Sequence, residues 1–261
     1  MLARAPRGPK KQERLDHEVT HLPYRSWCGH CVRGKAKERG HLRADRDEGD
    51  LGARLPMVCM DYCFYSGGET VSETGAAILV VRDRDTKVTY GHMVKEKGVG
   101  DGWIVDRVAE DIENMGYSEI TLKTDQEPAI RDLQRAVKEK RAPYKTTLEN
   151  SPVESSGSNG LAEKAAQELE GQVRTMRSAL AARIGEMPAE ASVIMAWMTE
   201  AAAQLINRHQ VGKDGRTPYE RVHGRRGAAL VAEFGEKVWY KLKKKKASAK
   251  LAPRWERAFT S

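Results

Sequence analysis

The residues of this chain best placed to do chemistry are three acids in three different local contexts. Asp61 lies inside the apolar run Pro56-Met-Val-Cys-Met-Asp-Tyr-Cys-Phe-Tyr65, Asp125 closes Ile120-Thr-Leu-Lys-Thr-Asp-Gln126, and Glu163 follows the Asn159-Gly160 break at the head of a long helical pattern. Short apolar runs read as buried strands, and a break before a periodic stretch reads as a helix start. Two strands and a helix can bring distant carboxylates together. Acids so placed can hold two divalent ions, Mg²⁺ or Mn²⁺, about 3.5–4 Å apart, the arrangement that drives in-line attack on a phosphodiester. The chemistry indicated is phosphoryl transfer on nucleic acid. Glu163 is the acid least distinguished by its own surroundings, because a carboxylate in the first turn of a helix is favoured electrostatically whatever its role. Glu149, Glu154 and Glu168 are rival third ligands, and none of them has the Asn-Gly context.

A second constellation precedes the acids. His17 and His21 are spaced as His-x₃-His and Cys28 and Cys31 as Cys-x₂-Cys, all within fifteen residues. Imidazoles and thiolates at those spacings suit one tetrahedral Zn²⁺. The two histidines share a face of a helical turn, Pro23 ends that turn, and six residues must swing the cysteines round to meet them. His30 is an alternative to either histidine, and reduced thiols in a loose arm are the competing reading.

Basic residues form the third group. Lys237 to Lys250 holds seven lysines and no acid, with Val238-Trp-Tyr240 beside Lys243, Lys244, Lys245 and Lys246. Such a run suits phosphate contacts with aromatic stacking, and equally a nuclear-localisation signal or a solvated tail. Lys123 and Lys164 flank two of the acids and are candidates to touch phosphate, although lysines beside acids are commonly surface pairs.

The three acids and the motifs around them resemble the integrase of Copia-type LTR retrotransposons, within the retroviral integrase superfamily whose Asp, Asp and Glu triad sits on an RNase H-like core. The resemblance covers most of the chain. Thirty-seven residues separate Asp125 from Glu163, close to the family spacing, and Asn159-Gly160-x-x-Glu163 matches the Asn-Gly-x-x-Glu signature. Thr217-Pro-Tyr-Glu-Arg-Val-His-Gly224 followed by Phe234-Gly235 is similar to the Thr-Pro-Tyr-Glu and Phe-Gly segment of Copia polyproteins. Cys28-Gly-His-Cys-Val-Arg-Gly-Lys35 is similar to the Cys-x-x-Cys and Gly-Lys of their pre-integrase zinc segment. The chain departs from the family in three places. Only six residues separate His21 from Cys28, Gln126-Glu-Pro-Ala-Ile130 replaces a Gly-Gly-Glu-Phe segment, and Ser155-Ser-Gly-Ser158 stands where a proline is usual.

The resemblance implies metal-dependent 3′-end processing and strand transfer of DNA. Asp61 and Asp125 would share one ion and Asp61 and Glu163 the other, one activating water or a 3′-hydroxyl and the other stabilising the leaving oxygen. It implies DNA partners, both element ends and target, with RNA as a further polyanion, a homo-oligomer, Asn159 beside the nucleic acid, and a chain cut from a longer polyprotein. Two other functions keep the same fold: a catalytically decayed or host-adopted nucleic-acid-binding protein, and an RNase H-like nuclease without integration activity.

Composition agrees with a nucleic-acid partner. The 261-residue chain carries a formal charge of +8 with 39% hydrophobic and 31% charged residues, enough for one core plus basic extensions and suited to a polyanion. No apolar stretch approaches the ~20 residues of a spanning helix, so no membrane partner is expected. Cysteines at 28, 31, 59 and 63 make no disulfide framework, and the N-terminus lacks an apolar signal core. A reducing compartment, nuclear or cytoplasmic rather than secreted, is the expectation.

The elements that must position these residues follow from periodicity. Strands are expected at Met57–Tyr65, Ala76–Arg82, Lys87–Val94, Glu119–Lys123 and Tyr144–Glu149, with helices at Asp101–Met115, from Pro128, from Leu161 and over Ala189–Arg208. Leu161, Ala165, Leu169, Val173, Met176 and Leu180 form the third helix's apolar stripe, with Glu163 off it. Ser151 to Gly160, rich in Ser and Gly, reads as a flexible loop beside the site. With the resemblance, this order implies an α/β protein of RNase H-like fold: a five-stranded mixed sheet flanked by helices. Residues 1–50 are read as a mobile basic arm with a His/Cys zinc knuckle, 51–224 as the catalytic core and 225–261 as a basic C-terminal extension.

Overall fold

The computed structural model describes residues 8–35, 55–65, 77–100, 102–151, 160–189, 192–228, 232–241 and 255–259. Five strands, β1 (Met57–Phe64), β2 (Ala77–Asp83), β3 (Thr89–Val94), β4 (Glu119–Thr124) and β5 (Lys145–Asn150), form one sheet in the order β3-β2-β1-β4-β5. The first three pair antiparallel, and β4 and β5 run parallel to β1. This is the expected mixed, RNase H-like sheet. Each boundary lies within two residues of its periodicity-based position.

β2 is buried along its whole length, so its alternating side chains must feed two cores. Leu79 and Val81 pack with Val58, Met60 and Leu122 against α3 (Trp103–Asn114) and α4 (Pro128–Lys140), through Ile104, Val108, Ile112, Ile130, Leu133 and Val137. Ile78 and Val80 face the other way. They pack on α5 (Gly160–Ile184) and α6 (Val193–His209), through Ala165, Leu169, Val173, Met198 and Ile206. Two polar bridges tie these layers together. His92 on β3 bonds Asp111 of α3 at 2.6 Å and Glu200 of α6 at 3.3 Å, and Arg82 on β2 pairs with Glu168 of α5 at 3.2 Å. Burial disfavours the His92 cation, but its two carboxylate partners outweigh burial and raise its pKa.

Some helix limits differ from the periodic reading. α3 starts at Trp103, because Gly102 takes a left-handed conformation with φ 78° that no helix contains. α6 starts at Val193 behind an extended Ser192, whose N–H closes a turn on Ala189 O. On α5 the buried stripe begins at Ala162, with Leu161 only partly covered and Glu163 exposed. Trp197 on α6 is exposed rather than packed on the core. The Thr217-Pro-Tyr-Glu motif is a helix start: Thr217 caps α7 (Pro218–His223) by accepting from Glu220 N, and Glu220 accepts from Thr217 N in return.

The N-terminal arm departs from the expected mobile segment. α2 (Gly29–Lys35) is seated on α5, and α1 (Lys11–Thr20) is tied to it at Thr20. Gln172 Nε2 donates to Thr20 O at 2.9 Å, Arg174 Nε to Gly34 O at 3.2 Å, and His30 bonds Ser178 at 2.9 Å. Few apolar side chains cover this contact, so backbone carbonyls gripped by α5 side chains take their place. The basic C-terminal extension also holds more structure than a tail. β6 (Lys237–Lys241) and β7 (Trp255–Phe259) pair antiparallel, while Lys243, Lys244, Lys245 and Lys246 between them lie outside the described residues.

Close approach of α2 to α5 depends on Gly34, where an added Cβ would lie 2.1 Å from Thr175 Oγ1 and 2.8 Å from its backbone nitrogen. Overpacking of this kind costs ~1–3 kcal/mol. Gly34→Ala should therefore lower stability to urea by about that amount and expose the 8–35 segment to protease before the core is cut. Unchanged protease resistance would show that the docking is not as close as described.

Candidate catalytic acids and metal centre

Parallel pairing of β1 and β4 places the two aspartates. Cys59 is registered with Lys123, and Asp61 and Asp125 each lie two residues further along, at the same edge of the sheet. Asp61 remains within β1, and its Oδ1 accepts from Tyr62 N at 2.8 Å. Asp125 lies just beyond β4, where its Oδ1 accepts from Glu127 N at 3.0 Å and turns the chain into α4. The turn is held from behind by residues that periodicity did not single out. Asn150 Nδ2 donates to Thr124 Oγ1 at 2.9 Å and to Asp125 O at 3.2 Å, and buried Gln134 donates to Leu122 O at 2.7 Å and Glu149 O at 3.0 Å. A buried glutamine in an otherwise apolar helix stripe was the one signal of this bracing.

Glu163 enters from α5, in its first turn. The three acids share one electrostatic neighbourhood: burial, joined by the charges of Asp125, Glu163 and Glu127, raises the Asp61 pKa to about 6 against the opposing Tyr62 N–H bond. Their oxygens are not closed to mutual ligand distance, a spacing that among the described residues only the His/Cys cluster reaches. The rival acids are otherwise engaged. Glu168 pairs with Arg82, and Glu149 Oε1 takes the Lys123 ammonium at 2.8 Å. Lys123 is thereby neutralised at the sheet edge, and Lys164 is exposed on α5. Asn159 and Glu154 lie outside the described residues.

A further cation stands near the acids. Lys97 Nζ bonds both oxygens of Glu127, at 2.7 and 3.0 Å, and sits 5.4 and 4.9 Å from the ring centroids of Tyr62 and Phe64. Tyr62 Oη accepts from Gly98 N at 3.0 Å, which pins the Lys97 loop to β1. Nothing in the linear sequence connects Lys97 to Asp61.

The second constellation is assembled. The ligand atoms of His17, His21, Cys28 and Cys31 all lie within 4.8 Å of one another, and all four residues are buried. Cys28 Sγ is 3.5 Å from His21 Nδ1 and Cys31 Sγ 3.3 Å from His17 Nε2. A tetrahedral zinc with ordinary Zn–N and Zn–S lengths has N-to-S edges of about 3.5 Å, so the residues fit this metal. α1 supplies His17 and ends on His21, which takes a left-handed φ of 52°. Burial lowers the pKa of His17 to about 4 and of His21 to about 3, assisted by nearby cations, so both imidazoles are neutral ligands at physiological pH. Burial pushes the Cys31 thiol up to about 11, which a bound metal must reverse by displacing its proton. His30 bonds Ser178 and stands outside the cluster.

No protein-family profile and no curated protein matches the sequence. Solved structures similar to it include a chain of the simian T-cell lymphotropic virus intasome in complex with PP2A regulatory subunit B56 gamma, at 17% identity, covering 96% of this chain and 82% of that one with a TM-score of 0.49. The HTLV-2 integrase catalytic core domain in complex with magnesium aligns at 15% identity over 65% of this chain and 98% of that one, with a TM-score of 0.45. The catalytic core domain of BIV integrase aligns at 18% identity over 64% and 92%, with a TM-score of 0.41. The RNase H-like assignment rests on strand order and register, independently of these likenesses. No helix among the described residues is long and apolar enough to cross a membrane.

Two measurements follow from these geometries. A carboxyl whose folded pKa lies above its unfolded value costs stability once ionised, so the Asp61 penalty is absent below about pH 4 and grows as pH rises through 6. At about 1.4 kcal/mol per pH unit this amounts to at most ~3 kcal/mol. Asp61→Asn should stabilise the metal-free protein to urea at pH 8 but not at pH 3.5, and an equal effect at both would remove the charge argument. For the His/Cys cluster, the purified chain should contain one zinc per molecule. Chelation should release the 8–35 segment to protease while the sheet stays folded, and a zinc-free protein with equal protection in chelator would refute the site.

Proposed function

We propose that this chain is an integrase-type polynucleotidyl transferase of Copia-like origin that processes DNA 3′ ends and joins them to target DNA. The observation that carries the reading is the crowding of Asp125 and Glu163 charge on the half-buried Asp61, on an RNase H-like sheet. Like charges gathered on a partly buried carboxyl are unfavourable, and divalent ions are partners that reverse that cost. Asp61, Asp125 and Glu163 would hold Mg²⁺ or Mn²⁺, which supplies Lewis acidity toward the phosphodiester and lowers the pKa of the attacking hydroxyl.

The chain's own residues have separable tasks in this reading. Asp61 must be ionised to serve as a ligand, so with a pKa near 6 it is ready at neutral pH and lost in mild acid. Asn150 and Gln134 hold the turn that presents Asp125. Lys97 restrains Glu127, keeping a fourth carboxylate from competing as ligand. Lys123, Lys164 and Asn159 would meet the phosphates beside the acids, and Lys243 to Lys246 would add sequence-independent affinity. The His/Cys module would hold one structural Zn²⁺. Residues 1–50, 51–224 and 225–261 would then be zinc segment, catalytic core and basic extension of a nuclear or cytoplasmic homo-oligomer acting on element-end and target DNA.

The test is a strand-transfer assay on DNA carrying the terminal repeat of the chain's own element, with Mg²⁺ or Mn²⁺. Shortened 3′ ends and joined products are expected, and Asp61→Asn, Asp125→Asn and Glu163→Gln should each reduce both by ~10²-fold or more while DNA binding persists. Cleavage without joining would assign a nuclease instead. Binding without either product, unchanged by the three substitutions, would assign a decayed or adopted binding protein.

A further inference from the structure

The β6–β7 hairpin presents an unassigned face. Its register sets Lys237 opposite Phe259, Trp239 opposite Arg257 and Lys241 opposite Trp255. Side chains alternate along a strand, so Lys237, Trp239, Lys241, Arg257 and Phe259 occupy one face, with a cation across from each of the two rings Trp239 and Phe259. The Arg257 guanidinium lies 4.7 Å from the Trp239 ring centroid, and the Lys237 ammonium 5.7 Å from that of Phe259. Both rings are nevertheless open to solvent, Trp239 at 58% and Phe259 at 66% exposure. The better-covered residues, Val238 and Ala258, are on the other face. None of these five residues is an acid.

Rings exposed to this degree do not stabilise a core, but a strand of unpaired bases would cover them. Trp239 and Phe259 occupy diagonal ladder positions, about 7–8 Å apart. Each ring has a cation beside it, and the chain as a whole is positive. Base stacking on aromatic side chains combined with basic contacts to the backbone is how single strands are held, whereas a duplex keeps its base faces buried. The loose Lys237 contact can be exchanged for a phosphate while the closer Arg257 keeps the indole in place. The segment leading into β6 is anchored, with Phe234 packed against the α5/α6 layer and Arg183 paired with Glu233 at 3.2 Å. That anchor lies ~30 Å along α5 from Glu163, so the face is separate from the acids.

We propose that this hairpin face is a binding platform for unpaired nucleic acid, with bases stacked on Trp239 and Phe259 and with Lys237, Lys241 and Arg257 on the phosphates of the same strand. The inference rests on the reading that the chain's partner is nucleic acid and not on its cutting chemistry. In fluorescence anisotropy with the full chain, the Trp239→Ala/Phe259→Ala variant should bind labelled oligothymidine at least about tenfold more weakly and blunt duplex less than about twofold more weakly. Trp239→Phe/Phe259→Tyr should retain the affinity, which separates loss of the rings from loss of the hairpin. Lys237→Gln/Arg257→Gln should flatten the single-strand salt dependence by about 0.7 per lost contact. Wild-type affinity in the double alanine variant, an equal loss on single strand and duplex, or displacement of oligothymidine by polyglutamate as readily as by DNA would overturn the platform. The first two outcomes leave the catalytic reading standing, whereas a wild-type chain that binds neither oligothymidine nor duplex removes both.

Discussion

Burial of β2 on both faces is the constraint from which the rest of the architecture follows. A strand whose neighbouring side chains alternate between two apolar environments cannot slide by one residue without sending each side chain into the wrong layer. With β2 fixed, β1 is fixed beside it, and the parallel pairing of β1 with β4 brings Asp61 and Asp125 to a common edge. α5 then packs beside α6 on one face of the sheet, and its N-terminal turn carries Glu163 toward the same region. Packing energy far from the acids therefore sets where they stand.

That arrangement carries an electrostatic cost. A partly buried aspartate among other carboxylates is raised toward neutrality against the Tyr62 N–H bond, while Lys97 pairs with Glu127 and Lys123 with Glu149. In the N-terminal segment the cost has a different form. The 8–35 segment buries two neutral imidazoles and two thiols with scarcely any apolar company, so its interior consists of the four side chains that would ligate a metal. The His/Cys region is thus incomplete as packed protein, while its four side chains form a donor set that fits a metal.

Much of this was legible in the sequence because it depends on short-range patterns. Short runs bounded by turn residues mark the strands, the 3.6-residue stripes of α3, α4 and α5 mark their buried faces, and His-x₃-His with Cys-x₂-Cys marks the cluster. What escaped depended on partners distant in sequence. The bracing of Asp125 by Asn150 and Gln134, the placement of Lys97 beside the acids and the Arg82–Glu168 pair join segments that no local periodicity connects. The docking of α1 and α2 was hidden for a related reason: hydrogen bonds from α5 to backbone carbonyls leave no hydrophobic trace, so a polar stretch was read as mobile. The β6–β7 pairing was hidden among lysines, whose charge suggested a tail.

The reciprocal cap between Thr217 and Glu220 bears on how such chains are compared. Thr-Pro-Tyr-Glu here works as punctuation, starting α7 by satisfying its free backbone donors, with the proline at a position whose N–H no helix needs. Arg221, in the same helix, ties it to the β2–β3 turn by donating to Thr86 O at 2.9 Å. Selection for folding alone is enough to preserve such a motif. A related chain without the acids that still needed to fold would keep the tetrapeptide, so its presence reports a sound scaffold and carries no information about catalysis.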